Sequence, residues 1–445
     1  MTEGPLPLPA RGMPTGDVLA RLRALRTSDA NWKDGKTWSL VYYAGEELTE
    51  LLKAAYGEYI HENGLGPMAF HSLQKMEADV IAMAAHLLGG DGDVVGNMTS
   101  GGSESILMAV KTARDLARAE RPAIAAPEIV LPASAHPAFL KAAHYFGLKP
   151  LRVPVAADLR ADVAAMAAAI TENCVLLVGS APSYPHGVID PIRELAAIAA
   201  ERKIPMHVDS CVGGFLLPFV RKLGHPIPDF DFAVPGVTSM SADLHKYGFG
   251  AKGSSIVLYR NRQIRRHQYF AFADWSGGIY GSPTMAGTRP GGAISAAWAV
   301  MNHLGEEGYL KLASTIMETT KALMQGISAI PGLCILGRPE MSVFAFASDT
   351  LNVYALADAM EARGWFLDRQ QQPVCLHMMV TPAHAGVVQS FLSDLRECAA
   401  QVAAVDPDEV TGAAALYGAL ATIPDRGAVQ DVVLDFMDEW TKVKE

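Results

Sequence analysis

Short apolar runs alternate with helical stretches through the middle of the chain. The runs 128–133 (EIVLPA), 174–182 (CVLLVGSAP), 204–210 (IPMHVDS) and 254–260 (SSIVLYR) are apolar at consecutive positions, as in strands buried on both faces. Between them, 161–171 and 191–202 space their apolar residues as helices do. Such alternation predicts a mostly parallel sheet covered by helices on both faces, with the ligand site at the carboxyl ends of the strands. Upstream, Leu48, Leu51, Leu52, Ala55, Tyr56 and Tyr59 recur at three and four. Before them, 1–35 reads as an arm: Pro-rich, then a short amphipathic helix with Val18, Leu19, Leu22 and Leu25 on one side. After about residue 305 the pattern changes. A helix over 306–328, strands near 333–347, a helix around 352–363, a strand at 374–381 and a helix at 384–404 predict a small α+β unit. The tail from 405 to 445 is expected to pack back on the body. The division drawn is 1–60 for the arm and first helices, 61–304 for a large α/β domain, and 305–445 for a smaller C-terminal α+β domain with its tail.

Composition narrows the classes. Of 445 residues, 50% are hydrophobic and 19% charged, which supports a sizeable core and excludes wholesale disorder. The formal charge of −10, with acidic and basic residues intermixed, argues against nucleic-acid binding, although a local basic pocket for a phosphorylated small molecule stays open. The five cysteines (Cys174, Cys211, Cys334, Cys375, Cys398) are far apart, with no CxxC pair or Cys/His ligand spacing, so free thiols in a reducing compartment and no metal are expected. Glu3 and the Pro-rich stretch from Pro5 to Pro14 are unlike a signal peptide, and no run reaches the roughly 18 apolar residues of a membrane span. A soluble, cytoplasmic protein is the expectation.

Four short motifs carry candidate chemistry. SADLHKYGFGAKGSS (241–255) places His245 and Lys246 in a loop before a strand, among small and polar residues. A lysine becomes a Schiff-base nucleophile when its ammonium is partly desolvated or held near other cations, which lowers its pKa. Asp209 ends the apolar strand HVDS, where a carboxylate is costly unless paired with a buried cation. A protonated pyridine nitrogen is such a cation; capping the next turn is the plainer alternative. In TSGGSES (99–105), Gly101 and Gly102 let the backbone approach a ligand, and Ser103 opens a helix whose free N–H groups favour an anion. His136 follows the strand 128–133, where its imidazole can stack on a pyridine ring or simply satisfy its two nitrogens locally. Each alone is ordinary, since most loop lysines are solvated and most Gly-Gly-Ser helix starts are caps. Their order along one α/β chain resembles that of enzymes that hold pyridoxal 5'-phosphate (PLP).

With those residues in view, the chain resembles the fold-type-I PLP enzymes of the group II decarboxylase superfamily. Within them it resembles the sphingosine-1-phosphate lyases over nearly its whole length. TSGGSESILMAVK, PHGVIDP, HVDSCVGGFLLPF, GVTSMSADLHKYGFGAKGSSIVLYR, DWSGGIYGSPTMAGTRPGG and AALYGA all match that family's motifs. The resemblance implies that Lys246 forms the Schiff base, Asp209 pairs the ring nitrogen and His136 stacks on the ring. It implies that Gly102, Ser103 and His245 bind the cofactor phosphate, and that Thr288 reaches the phosphate of a neighbouring subunit's cofactor in a homodimer. Tyr42, Asn63, Tyr184, Lys252 and Tyr417 correspond to positions facing the substrate's polar head and phosphate, with Tyr184 a candidate for moving a proton. The implied reaction cleaves a phosphorylated long-chain base, sphingosine 1-phosphate, into a fatty aldehyde and phosphoethanolamine by a retro-aldol step.

One departure bears on the substrate. The family carries an asparagine and, three residues later, a histidine that helps bind the substrate phosphate. Here Asn63 is kept, Gly66 stands in the histidine's place, and His71 appears nearby where a proline is usual. The alternatives are a PLP-dependent decarboxylase, or an aldolase for an unphosphorylated amine, and a catalytically silent PLP-binding protein. The intact Lys246, Asp209 and His136 speak against the last.

Overall fold

The computed structural model describes residues 8–404 and 412–442. Pro5 and Pro7 of the arm, 405–411 of the tail and 443–445 lie outside the described residues. Seven strands form the main sheet: β1 (Val95–Thr99), β2 (Glu128–Pro132), β3 (Lys149–Val153), β4 (Cys174–Ser180), β5 (Met206–Asp209), β6 (Ser239–Ala242) and β7 (Ser255–Tyr259), in the order β1-β7-β6-β5-β4-β2-β3. Strands β6, β5, β4, β2 and β3 are parallel; β7 runs against both its neighbours, so β1 points with the parallel set. The fold is the large, mostly parallel α/β architecture that the alternating pattern predicts.

Its layers follow from that pattern. All seven residues of β4 are buried, because helices cover both faces of the strand. One face packs against α3 (His71–Leu87), α7 (Ile192–Glu201), α8 (Leu217–Lys222) and the long α10 (Gly291–Ser328), the other against α4 (Gly102–Glu120) and α5 (Ala138–Phe146). Neighbouring residues of β2 divide accordingly, Val130 to the first layer and Ile129 and Leu131 to the second. Local signals set the helix ends. Gly147 closes α5 in the left-handed conformation at φ 69°, and Asp162 caps α6 (Val163–Ala169) by accepting from Ala165 N–H at 3.0 Å. At the rim lie α9 (Arg262–Arg266) and the hairpin β8 (Phe270–Phe272)–β9 (Tyr280–Ser282).

The small domain is an antiparallel sheet, β10 (Cys334–Ile335), β11 (Val343–Ala347), β12 (Asp368–Gln371) and β13 (Val374–Met379), in the order β10-β11-β13-β12. It packs on α11 (Val353–Glu361) and α12 (Val388–Ala403) around Phe344, Phe346, Trp365 and Phe391. Two connections bind it to the large domain. Helix α10 breaks at Gly305 (φ 53°), where the sequence pattern changes; beyond the break Tyr309, Ala313 and Ile316 still pack in the large core, and Leu323 and Ile327 in the small one. The second is the arm: Trp38 is fully buried in the small core, stacked on His384 at 4.2 Å, and its carbonyl accepts from Met379 N–H at 2.7 Å. Next along the chain, α2 (Glu46–Glu58) buries Leu48 in the large core.

The ends of the chain leave apolar surface uncovered. In the tail, α13 (Gly412–Thr422) packs on α11 with Ala414 in the small core, whereas α14 (Arg426–Thr441) buries Val429 and exposes Val433, Leu434, Phe436, Met437 and Trp440. The apolar side of α1 (Thr15–Leu25), with Val18, Leu19, Leu22 and Leu25, is likewise exposed. Among the described residues no helix is long and apolar enough to cross a membrane, and all five cysteines are free.

One glycine fixes the approach of the two domains. Gly187 has φ +71°, and a Cβ there would lie 1.8 Å from the Val343 carbonyl oxygen of β11. Gly187→Ala meets both a left-handed backbone and a hard backbone contact, and costs more than about 1 kcal/mol. Calorimetry is expected to show Tm lowered by about 1 °C or more; an unchanged Tm would contradict this reading of the domain contact.

Candidate active site

Four loops leave the carboxyl ends of strands on the same side of the main sheet, and each delivers one of the singled-out motifs. After β1, Gly101 and Gly102 turn the chain into α4; after β2 comes His136; β5 ends in Asp209; and the loop after β6 carries His245 and Lys246. Together with Ser103, Glu104, Tyr184, Cys211 and Asp243 they line a cleft of about 350 Å3. This is where open α/β sheets bind ligands.

The floor of the cleft is charged and buried. Asp209 Oδ1 accepts from Cys211 N–H at 3.0 Å and from Ser241 Oγ at 3.2 Å. Burial opposes its ionisation, but the His136 imidazole and the hydrogen bonds from Cys211 outweigh that and hold the carboxyl below its usual range. A second carboxylate, Asp243, accepts from Ser255 Oγ at 2.5 Å and pairs with Lys246 Nζ at 3.0 Å. Burial pulls the Lys246 pKa down, yet Asp243, with Cys211 and Asp209 behind it, wins and holds the ammonium above an ordinary lysine. This corrects the sequence expectation of a lysine lowered by desolvation, because ion pairing is the stronger effect. Asp243 itself was missed by sequence reasoning; its signal was a carboxylate three residues before the motif lysine, within an otherwise uncharged run.

The two histidines are neutral. His136 Nδ1 accepts from Ala138 N–H at 3.1 Å, which leaves the proton on Nε2, and burial pushes its pKa down. His245 Nδ1 accepts from Ser254 N–H at 3.3 Å, and it too is lowered by burial. At the opposite wall stands the start of α4. Glu104 turns back to accept from Ser100 N–H at 2.6 Å, whereas the first-turn N–H groups at Gly102 and Ser103 have no intrahelical acceptor. A Cβ on Gly102 would lie 2.7 Å from Asp243 Oδ2 and 2.8 Å from Cys211 Sγ, so only glycine brings the backbone this close to the floor.

These features fit PLP. The α4 N-terminus offers N–H donors and dipole to a phosphate. Lys246 offers an amine, and the buried Asp209 offers an anion without a cationic hydrogen-bond partner among the described residues.

The remaining candidates divide. Tyr184 lines the cleft, its ring edge-on to His136 with centroids 6.4 Å apart, and burial raises its phenol pKa. Tyr42 and Lys252 pair beside the cleft. Lys252 Nζ lies 5.2 Å over the Tyr42 ring and donates to the carbonyls of Leu40 (2.7 Å) and His245 (3.4 Å); Tyr42 Oη donates to Met379 Sδ at 3.4 Å. Burial and the charge of Lys246 lower the Lys252 pKa. Asn63 and Thr288 are not in this cleft. Asn63 Nδ2 donates to Thr288 Oγ1 at 3.2 Å, and its Oδ1 accepts from the N–H groups of Leu65 (2.9 Å) and Arg289 (3.1 Å), so the side chain is spent on joining two loops. Tyr417 lies on α13 with the Arg369 guanidinium 5.6 Å over its ring, away from the cleft lining. Gly66 sits in a turn, its carbonyl accepting from Ala69 N–H at 3.0 Å, and His71 is exposed at the start of α3.

Comparison with known proteins agrees with this geometry. Residues 25–348 match the pyridoxal-dependent decarboxylase conserved domain. The chain is 47% identical over 97% of its length to the sphingosine-1-phosphate lyase of Oryza sativa subsp. japonica, 81% of which is covered. It is 46% identical over 97% of its length to sphingosine-1-phosphate lyase 1 of Rattus norvegicus, 76% of which is covered. Among solved structures it superposes on the sphingosine-1-phosphate lyase of Burkholderia pseudomallei with TM-score 0.90 at 40% identity, covering 98% of this chain and 97% of that one. A glutamate decarboxylase of Lactobacillus brevis, at TM-score 0.80 and 18% identity over 91% of this chain and 97% of that one, shares the fold.

The site predicts a yellow protein when PLP is bound. Lys246→Ala should abolish the visible band, and borohydride should fix the cofactor to the peptide containing Lys246. A colourless reconstituted wild type, or labelling at another lysine, would contradict the assignment.

Proposed function

Because the chain belongs to the pyridoxal-dependent decarboxylase family and, within it, to the sphingosine-1-phosphate lyases, we propose that it cleaves the Cα–Cβ bond of a phosphorylated long-chain base, releasing a fatty aldehyde and phosphoethanolamine. It is a PLP-dependent lyase. The observation that carries the reading is the meeting of Lys246, Asp209, His136 and the α4 N-terminus in one cleft from four separate loops. When bound, PLP supplies a carbonyl that takes up the substrate amine and a ring that accepts the electron pair released as the bond breaks.

The side chains provide the rest. Asp243 holds the Lys246 amine over the floor, and Asp209 favours a protonated ring nitrogen by placing a carboxylate in a site that needs a cation. The neutral His136 imidazole presents a flat face without adding charge. The first turn of α4, with Gly102 and Ser103, binds the cofactor phosphate, and His245 closes that side. Tyr184, whose phenol burial keeps protonated, is placed in the cleft to meet the hydroxyl on the carbon beside Cα. Lys252 is the cation available for the substrate phosphate once it leaves the Leu40 and His245 carbonyls.

The protein acts as a homodimer in this reading. Thr288 and Tyr417 lie outside the cleft of their own chain, so any role at a site falls at the partner's. The apolar surfaces of α1, α14 and the β8–β9 hairpin, where Phe270 and Phe272 are exposed, support a second copy that covers them. Free cysteines fit a reducing, cytoplasmic setting.

Gly66 supplies the test. A Cβ there meets nothing closer than 3.9 Å and φ is not left-handed, so a histidine fits. A hydrogen bond to a charged group is worth about 1.5–3 kcal/mol, so Gly66→His should lower KM for sphingosine 1-phosphate about tenfold. Lys252→Ala should raise it by as much or more, with aldehyde and phosphoethanolamine measured as products. If wild type and Gly66→His both ignore this substrate while an amino acid is decarboxylated, the lyase reading fails.

A further inference from the structure

Tyr184, the one tyrosine lining the cleft among the described residues, is gripped from the small domain. Tyr184 Oη donates to Asp368 Oδ2 at 3.3 Å, and the Tyr184 ring stacks on His377 at 4.4 Å with 29° between planes. Asp368 and His377 are directly opposed residues of β12 and β13, so a single cross-strand pair supplies both contacts. His377 is fully buried, and its Nδ1–H donates to the Pro185 carbonyl at 3.3 Å. Burial pushes its pKa to about 4, so the stacked ring is neutral. Among the described residues Asp368 has no ion pair.

A carboxylate only accepts, so the Tyr184 hydroxyl must spend its one proton on Asp368 and keeps only lone pairs for the cleft. We propose that Asp368 and His377 are positioning residues that clamp Tyr184 with its hydroxyl hydrogen turned out of the cleft, making the phenol oxygen an acceptor for the substrate hydroxyl. This rests on the retro-aldol reading and adds a source of specificity to it. A substrate hydroxyl beside Cα donates to that lone pair and is oriented by it. A carboxylate in the same place meets lone pair against lone pair, and the site rejects an amino acid about to be decarboxylated.

The test uses the full-length holoenzyme with Asp368→Ala, Asp368→Asn and His377→Phe. For sphingosine 1-phosphate cleavage, Asp368→Ala should lose about 10- to 100-fold in kcat, as a misplaced reacting group does, with KM little changed. Asp368→Asn should recover most of that loss, because the amide oxygen accepts the same bond, and His377→Phe should keep the stack and most of kcat. Independently of activity, the resonance of isotope-labelled Tyr184, assigned by its loss in Tyr184→Phe, should move in Asp368→Ala and return in Asp368→Asn. Wild-type kcat in Asp368→Ala, or an unmoved Tyr184 resonance, would overturn the clamp. Equal losses in Asp368→Asn and Asp368→Ala would also overturn it, assigning the carboxylate the substrate's proton instead. A wild type that cleaves no phosphorylated long-chain base would refute the functional reading, while the resonance still decides the clamp.

Discussion

Two carboxylates and one ammonium lie buried together at the carboxyl ends of β5 and β6, and that unbalanced charge is the constraint around which the molecule is arranged. Asp243 is neutralised by Lys246 at 3.0 Å, whereas among the described residues Asp209 has no such ion pair and is held by the Cys211 N–H, the Ser241 hydroxyl and the nearby His136. Even after relaxation, each buried ion costs several kcal/mol unless it is paired. A cationic ring nitrogen at Asp209 would close the balance, and the partial positive charge of the α4 N-terminus would favour a phosphate. The surrounding sequence is shaped by how close the backbone must come. Gly102 is glycine because a side chain would strike both Asp243 and Cys211, and β6 reads SMSA because its hydroxyls serve His207 and Asp209.

The small domain does more than cover this floor. Its core takes in Trp38 from the arm, its β11 touches Gly187, and its β12–β13 pair holds Tyr184. The helix that joins the domains continues through both cores, broken at Gly305. The Tyr184 wall of the cleft is thus assembled by two domains, and the position of the tyrosine depends on their approach.

Much of this was legible in the chain, and the parts that were not have a common physical origin. Strands β2, β4 and β5 announced themselves because burial on both faces demands an unbroken apolar run. Strands β1 (VGNMT) and β6 (SMSA) carry glycine and hydroxyls instead, since they meet β7 closely or hydrogen-bond to buried neighbours, and neither is among the runs read as strands. Gly96 shows the reason: a Cβ there would lie 2.4 Å from the Val257 carbonyl oxygen. The motif residues Lys246, Asp209, His136, Gly102, Ser103 and His245 were found as a set, because each needs a particular residue type at the end of a particular element. Asp243, Asp368 and His377 were not, because they act through other side chains and their pairings exist only in three dimensions. The apolar side of α1 was legible from its spacing, whereas the tail was expected only to pack back on the body, and sequence periodicity does not say which surface an apolar face will meet.

In the function proposed, Asp209 holds a protonated pyridine nitrogen in a site that would otherwise bury an uncompensated anion. The direct measurement is the protonation state of that nitrogen, read by magnetic resonance on holoenzyme reconstituted with isotope-labelled PLP. A protonated nitrogen in the wild type, lost in cofactor-saturated Asp209→Ala, is the predicted result. An unprotonated nitrogen in the wild type, or an equally protonated one in Asp209→Ala, would contradict it.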